Sequence, residues 1–298
     1  MTAAAPLEGL RGRTADLGEG TAVRRLLPTR GRRLVGPWCF LDHYGPDPVR
    51  GPGMSVGPHP HIGLQTVSWL LEGEVLHRDS LGSEQLIRPG QLNLMTAGRG
   101  IAHAEETPEG HGPRLHGVQL WVALPEEARH GAPAFQHLGE LPQAGAGPLQ
   151  ATVLMGRFLG EASPAQAFSP MVGAELRALR DGASRLALDP AFEHALALVD
   201  GRAASGGAPL EIGVLYPLPA GREALDLQVE AGAILMLLGG EPFPEPIVMW
   251  WNFVARSGDE IAAARAGWET GRGFGPVASP LPRIPAPALD PAMLRLRR

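Results

Sequence analysis

Lysine is absent from this chain of 298 residues, so all 26 of its basic side chains are arginine. Against 31 acidic residues they leave a formal net charge of −5, which offers no general attraction to nucleic acid or to an anionic membrane surface. Arginine throughout, with abundant Ala, Gly and Pro, reads as the coding bias of a GC-rich genome rather than as a binding feature. Cysteine occurs once, at Cys39, which excludes an intrachain disulfide and thiolate metal clusters. That residue sits in the apolar run Gly36-Pro37-Trp38-Cys39-Phe40-Leu41 and reads as a small buried hydrophobe. No segment approaches the roughly 18–20 apolar residues needed to span a bilayer. Met1 to Thr14 holds no apolar core of the length a secretion signal needs, so a cytoplasmic location is expected. Aromatic residues are few, at 5%, and long helical patterns are scarce.

Glycine and proline are plentiful instead, at 40 and 30 residues, which favours short strands joined by tight turns. The length suggests two domains. From Gly57 to Leu124 the pattern is strand and turn throughout, with strands expected at Leu64 to Leu71, Val75 to His77, Leu86 to Ile87, Leu92 to Met95 and Leu115 to Leu124. This is the pattern of an antiparallel barrel or sandwich. The stretch Gly90 to Gly98 then lines up with Gly232 to Gly240, glycine for glycine, and Val67 to Gly73 resembles Ala195 to Gly201. Two copies of one β-barrel follow, and the fold class expected is all-β. The domains expected are 1–142 for the first barrel, 149–250 for the second, and 251–298 for a helix and irregular tail packing back on the barrels. Gln143 to Pro148 is the expected linker. Ser257-Gly258-Asp259-Glu260 has capping-box spacing and predicts a helix over Ile261 to Thr270. The tail from Pro276 is expected to be irregular, ending in a solvated cluster of Arg295, Arg297 and Arg298.

The richest chemistry lies in two short couples, His59-Pro60-His61 and His103-Ala104-Glu105. Side chains two apart on a strand share a face, so each couple aims both groups into one space, and two such strands facing each other would enclose a metal. Buried together without a cation, three imidazoles and a carboxylate would need many polar partners. Nitrogen and oxygen donors without sulfur suit divalent iron, manganese, nickel, copper or zinc. A closed four-ligand zinc site would be structural, whereas three His and one Glu on an octahedral ion leave open positions for substrate and dioxygen. The second copy lacks this set: thirteen residues beyond Gly90 lies His103, but the same step from Gly232 reaches Glu245. Around the couples, Gln65 reads as a ligand- or substrate-bonding residue or a polar strand edge. His77 and Asp79 alternate on a strand and read as a solvated face, the alternative being that they orient each other at the pocket mouth. His116 and Gln119 stand on opposite faces of one strand, so only one can look inward. Met95 and Trp69 read as core, Glu106 as a surface or outer carboxylate, and Trp250-Trp251 as packing between the barrels.

The run Gly57 to Val67, then Leu71-Glu72-Gly73, then Met95 to Glu105, then His116 to Val122, resembles the pirin family of the cupin superfamily, as does Glu241 to Val248. The resemblance covers about residues 20–275. It implies two stacked antiparallel cupin β-barrels, a bicupin, with a short C-terminal helix. It implies iron in the first barrel, held by His59, His61, His103 and Glu105. Gln65 stands where the family usually carries Glu, which takes a carboxylate from the pocket wall and leaves the implied ligands intact. Two functions are implied. One is a quercetin 2,3-dioxygenase, opening a flavonol ring with dioxygen, with Glu105 as the catalytic base; Gln65, Gln119 and His116 are the substrate-binding candidates read from their places around the couples. The other is an iron-binding, redox-sensing regulator of a transcription factor or metabolic enzyme, with a protein partner.

Overall fold

Period-two alternation in segments too short for helices, punctuated by glycines at positive φ, makes this chain a succession of antiparallel strands. The computed structural model describes residues 5–17, 21–48, 53–290, 294 and 296–297. Two compact units divide the chain. A leading unit comprises Thr14–Val23, Tyr44–Gly139 and Pro244–Arg298; a trailing unit comprises Met1–Arg13, Arg24–His43 and Glu140–Phe243.

In the leading unit the strands are β1 (Ser55–His61), β2 (Leu64–Glu72), β3 (Val75–Asp79), β4 (Glu84–Ile87), β5 (Leu92–Thr96), β6 (Ile101–Glu106), β7 (Arg114–Ala123) and β8 (Ala134–Leu138). The five expected strand segments of this region are all present, each within a few residues of its predicted ends. They form a smaller sheet in the order β1-β6-β3-β4 and a larger one in which β8-β5-β2-β7 are neighbours. The tight turns rest on glycine: Gly73 and Gly90 adopt φ of +89° and +82° between consecutive strands. Val56 and Val75 of the smaller sheet share a buried cluster with Leu70 and Leu115 of the larger, so the two sheets close on one core.

The trailing unit carries β9 (Leu149–Phe158), β10 (Met171–Ala178), β11 (Gly182–Ala187), β12 (Glu193–Asp200), β13 (Val214–Leu218), β14 (Ala224–Val229) and β15 (Ile234–Gly240). Its larger sheet runs β13-β12-β15-β10-β9, and β11 and β14 pair in its smaller one. Leucines from both sheets, among them Leu186, Leu196, Leu225 and Leu237, fill one core. The internal repeat is real in three dimensions: β2 pairs β5, and their counterparts β12 and β15 pair likewise. Gly201 and Gly232 take φ of +72° and +87°, matching Gly73 and Gly90. The architecture is all-β, two sandwiches of open facing sheets rather than the closed barrels expected.

The compact units do not follow a single cut near residues 142–149. Arg24–His43 groups with the trailing unit. Its anchor there is Trp38, whose indole N–H is shared between the carbonyls of Val172 and Gly239, at 3.0 and 3.2 Å. Gly173 leaves the room that ring occupies, since a Cβ there would stand 2.6 Å from it. The expected linker is also structured, because Gln143–Ala146 pairs with β9 as a hairpin.

The C-terminal segment belongs to the leading unit. It supplies β16 (Ile247–Trp250), β17 (Phe253–Ala255) and the helix α1 (Gly258–Glu269). Ser257 caps the helix by accepting from Glu260 N, and Glu260 reaches back to the backbone N–H of Arg256 rather than of Ser257. Trp250, Phe253, Trp268 and Phe274 bury together with Ala102 of β6. Trp250 and Trp251 thus pack inside this unit and not between barrels. The tail is less irregular than expected, since Leu296–Arg297 pairs with Ile247 and Val248. Arg295 and Arg298 lie outside the described residues.

Candidate metal centre

The histidine couples sit on adjacent strands of one sheet, not on strands facing each other. In the antiparallel pairing of β1 with β6, His103 stands directly opposite His59, and Ile101 opposite His61. Cross-strand neighbours are separated by about 5 Å at Cβ, so all three rings crowd one face. A ring nitrogen from each of His59, His61 and His103 lies within 4.8 Å of those from the other two. Two of them, His61 Nε2 and His103 Nε2, are 3.0 Å apart. That equals the spacing of neighbouring donors on an octahedral ion with bonds of about 2.1 Å.

The outer nitrogens are spoken for. His59 Nδ1 donates to Gly57 O at 2.9 Å, and His61 Nδ1 donates to Asn252 O at 3.1 Å. A carbonyl only accepts, so in each neutral ring Nδ1 keeps the proton and Nε2 presents a bare lone pair. Burial holds the rings neutral. It pushes His59 down to about 4, and drives His61 and His103 well below the ordinary imidazole value, with the neighbouring His59 adding to the effect. Three neutral imidazoles with lone pairs converging in a buried space repel one another unless a cation lies between them. The residues present therefore fit a divalent metal with nitrogen ligands.

Glu105 shares this face but stands outside the 4.8 Å cluster. A register shift in the β1–β6 pairing between His103 and Glu105 brings Glu105 opposite Val56. Its Oε1 lies 3.3 Å from Ser68 Oγ of the facing sheet, and burial raises its pKa against the lowering effect of His77 and Ser68. Ser68 Oγ is also 2.9 Å from the Gln119 side-chain oxygen. Gln119, Ser68 and Asn93 stand directly opposite one another across β7, β2 and β5, a buried polar row on the inner face of the larger sheet. Asn93 Oδ1 meets His137 Nδ1 at 2.7 Å, while Asn93 Nδ2 has no hydrogen-bond partner among the described residues. From the same face Trp121 sets its ring edge against His61, with centroids 5.3 Å apart.

Two other expected site residues fall elsewhere. Gln65 is three residues from Ser68 on a regular strand and therefore on the opposite face of the larger sheet, where its Nε2 donates to Thr96 Oγ1 at 2.9 Å. His116 is buried at the other end of β7, paired with Glu72 at a register shift. Of the expected pair His116 and Gln119, Gln119 looks toward Glu105. Glu106 points away, as expected, and accepts from Arg78 and Ser279.

The reading of His77 and Asp79 as a solvated face is overturned in favour of the alternative, that they orient each other, with His77 Nε2 3.2 Å from Asp79 Oδ2. Both are buried, and β3 lies beside β6 with Asp79 opposite His103 and His77 opposite Glu105. The side-chain signal was present as an i, i+2 pair; alternation alone does not say which face is inward.

Comparison with known proteins agrees with this geometry. The pirin family model matches residues 20–122, and the model of the pirin C-terminal cupin domain matches residues 174–275. The chain belongs to the pirin family. It is 48% identical to a Pseudomonas aeruginosa protein provisionally named quercetin 2,3-dioxygenase, over 95% of this chain and 90% of that one. It is 39% identical to a pirin-like protein of Caulobacter vibrioides, covering 87% and 92%. Among solved structures, a quercetin 2,3-dioxygenase from Acinetobacter baumannii superposes with a TM-score of 0.94 at 42% identity, covering 98% of each chain. Among the described residues no helix is long and apolar enough to cross a membrane.

Proposed function

We propose that this pirin-family protein is a mononuclear metal-dependent dioxygenase of the quercetin 2,3-dioxygenase type, opening a flavonol ring with O2. The observation that carries the reading is the convergence of imidazole nitrogens of His59, His61 and His103 in one buried space, beside a carboxylate that does not belong to the same cluster. These three residues would hold the metal, and Glu105 would be its fourth ligand and the catalytic base. Divalent iron is the first candidate; manganese, nickel, copper and zinc also match the donor set. When bound, such an ion supplies Lewis acidity and a place where a substrate oxygen and O2 can meet.

The chain's own residues do the rest. Glu105, with its pKa raised by burial, is a stronger proton acceptor than an exposed carboxylate, and it takes the proton of the flavonol 3-hydroxyl at a carboxylate oxygen. Ser68 holds the other end of that exchange by its hydrogen bond to Oε1. Gln119 and Asn93, in the row that includes Ser68, present polar groups to the substrate's hydroxyls, while Trp121 gives a flat apolar surface to its rings. The same burial that depresses the imidazoles shields the reacting groups from bulk solvent.

The test is anaerobic loading with ferrous iron, followed by quercetin and air. Loss of the flavonol absorbance with release of carbon monoxide, absent in His59→Ala, is expected. Stoichiometric metal without turnover would move the protein to the class of metal-binding regulators.

A further inference from the structure

We infer that Asp79 and His77 form a relay that fixes which nitrogen of His103 carries its proton, and so keeps His103 available as a metal ligand. The inference rests on the metal centre proposed above and not on its substrate. His77 Nε2 lies 3.2 Å from Asp79 Oδ2, and His77 Nδ1 lies 3.3 Å from His103 Nδ1. A carboxylate accepts, so a neutral His77 carries its proton on Nε2 and offers a lone pair at Nδ1. His103 must then donate from Nδ1, which leaves Nε2 bare, on the side where His61 Nε2 stands 3.0 Å away. Gly57 and Asn252 do the same for His59 and His61 with backbone carbonyls. His103 alone is served by side chains, and the identity of residue 79 therefore determines the outcome.

The relay is held rigidly. Asp79 Oδ1 accepts from the backbone N–H groups of Leu81 and Ser83, at 2.9 and 3.0 Å, so Oδ2 is the oxygen left for His77. Phe135 stacks on the His77 ring with centroids 4.4 Å apart and planes 11° off parallel. Asp79 and His77 are thus positioning residues, acting on the metal through His103.

The substitution Asp79→Asn is close to isosteric and reverses the relay. The turn N–H groups still require an acceptor and retain the amide oxygen, which turns Nδ2 toward His77 Nε2. An amide N–H donates, so His77 must accept at Nε2 and carry its proton on Nδ1. His103 must then accept at Nδ1, and its proton moves to Nε2, where the metal would bind.

The experiment uses nickel(II) as the probe and the full chain. Competition against a chelator is expected to give a dissociation constant raised about 10- to 100-fold in Asp79→Asn, the cost typical of disrupting a group behind a metal-bound histidine. Long-range proton–nitrogen spectra of the metal-free chain are expected to show His103 protonated at Nδ1 in the native protein and at Nε2 in the variant. His77→Phe, which keeps the stack on Phe135 but has no ring nitrogen, is expected to weaken nickel binding as well. A dissociation constant within twofold of native in both variants, or a native His103 protonated at Nε2, overturns the relay. A native chain that binds nickel and ferrous iron but consumes no flavonol removes the dioxygenase reading and leaves the relay standing; one that binds neither ion removes both.

Discussion

Metal loading of this site at mildly acid pH should release far fewer protons than an ordinary three-histidine site. An imidazole with the usual value of 6.5 is about 90% protonated at pH 5.5, so three of them would give up about 2.7 protons to an incoming ion. Here burial pushes His59 down to about 4 and holds His61 and His103 well below 6.5. At pH 5.5 His59 is then only about 3% protonated, and its contribution to proton release is close to zero. Glu105, raised above its usual 4.5, adds at most one proton if it joins the ion. The total expected therefore falls well short of about 2.7. The same arithmetic says that an ordinary triad loses about a thousandfold in affinity between pH 7.5 and 5.5, whereas this one loses far less, because its imidazoles are already neutral. Calorimetric titration with nickel(II) at pH 5.5, in two buffers of different ionisation enthalpy, measures the proton count directly. Release of two or more protons would refute the claim that these rings are buried and neutral before the metal arrives.

Other consequences are as direct. His59→Ala or His103→Ala should abolish stoichiometric metal binding while leaving the circular dichroism of a β protein, measured by elemental analysis of the purified variant. Glu105→Gln keeps the three imidazoles and removes the base; kcat for flavonol loss should fall about 10²- to 10⁴-fold, read under anaerobic loading and air mixing. For the metal-free protein, His59 titrates near 4 when folded and 6.5 when unfolded, so between those values the unfolded chain binds more protons. Stability should rise with pH across that window and level off above it, by about 3 kcal/mol from His59 alone. Denaturant midpoints at pH 4.5 and 7 for native and His59→Asn chains test this, and an equal pH response in the two would contradict it. In the trailing unit Leu237→Ala opens a cavity in a closed core and should cost about 2–5 kcal/mol, seen as faster amide exchange in that unit.

The strands and turns of the leading unit were readable because alternation and glycine punctuation are local. Gly73 and Gly90 needed no distant partner to mark their turns, and the repeat at Gly201 and Gly232 carried the same information to the second copy. Segment membership was less accessible. Trp38 groups its segment with residues 134 and 201 positions away, because the space beside Gly173 and the carbonyls of Val172 and Gly239 receive the indole. Nothing near Trp38 in the chain announces those partners. Gln65 shows the complementary limit: its closeness to His61 suggested a pocket role, and strand parity turned it to the other face.

By itself the sequence determined that His59 with His61, and His103 with Glu105, lie in same-face pairs, since successive residues of a strand alternate sides. It also determined an all-β chain of two related copies, only one of which carries the histidine couples. Tertiary structure alone decided that the couples are neighbours in one sheet, that Asn252, 191 residues away, orients His61, and that His77 and Asp79 look inward at His103. The physical reason is that a period of two fixes relations along a strand. Which face is buried, and which atom across the core meets it, depends on how whole sheets pack.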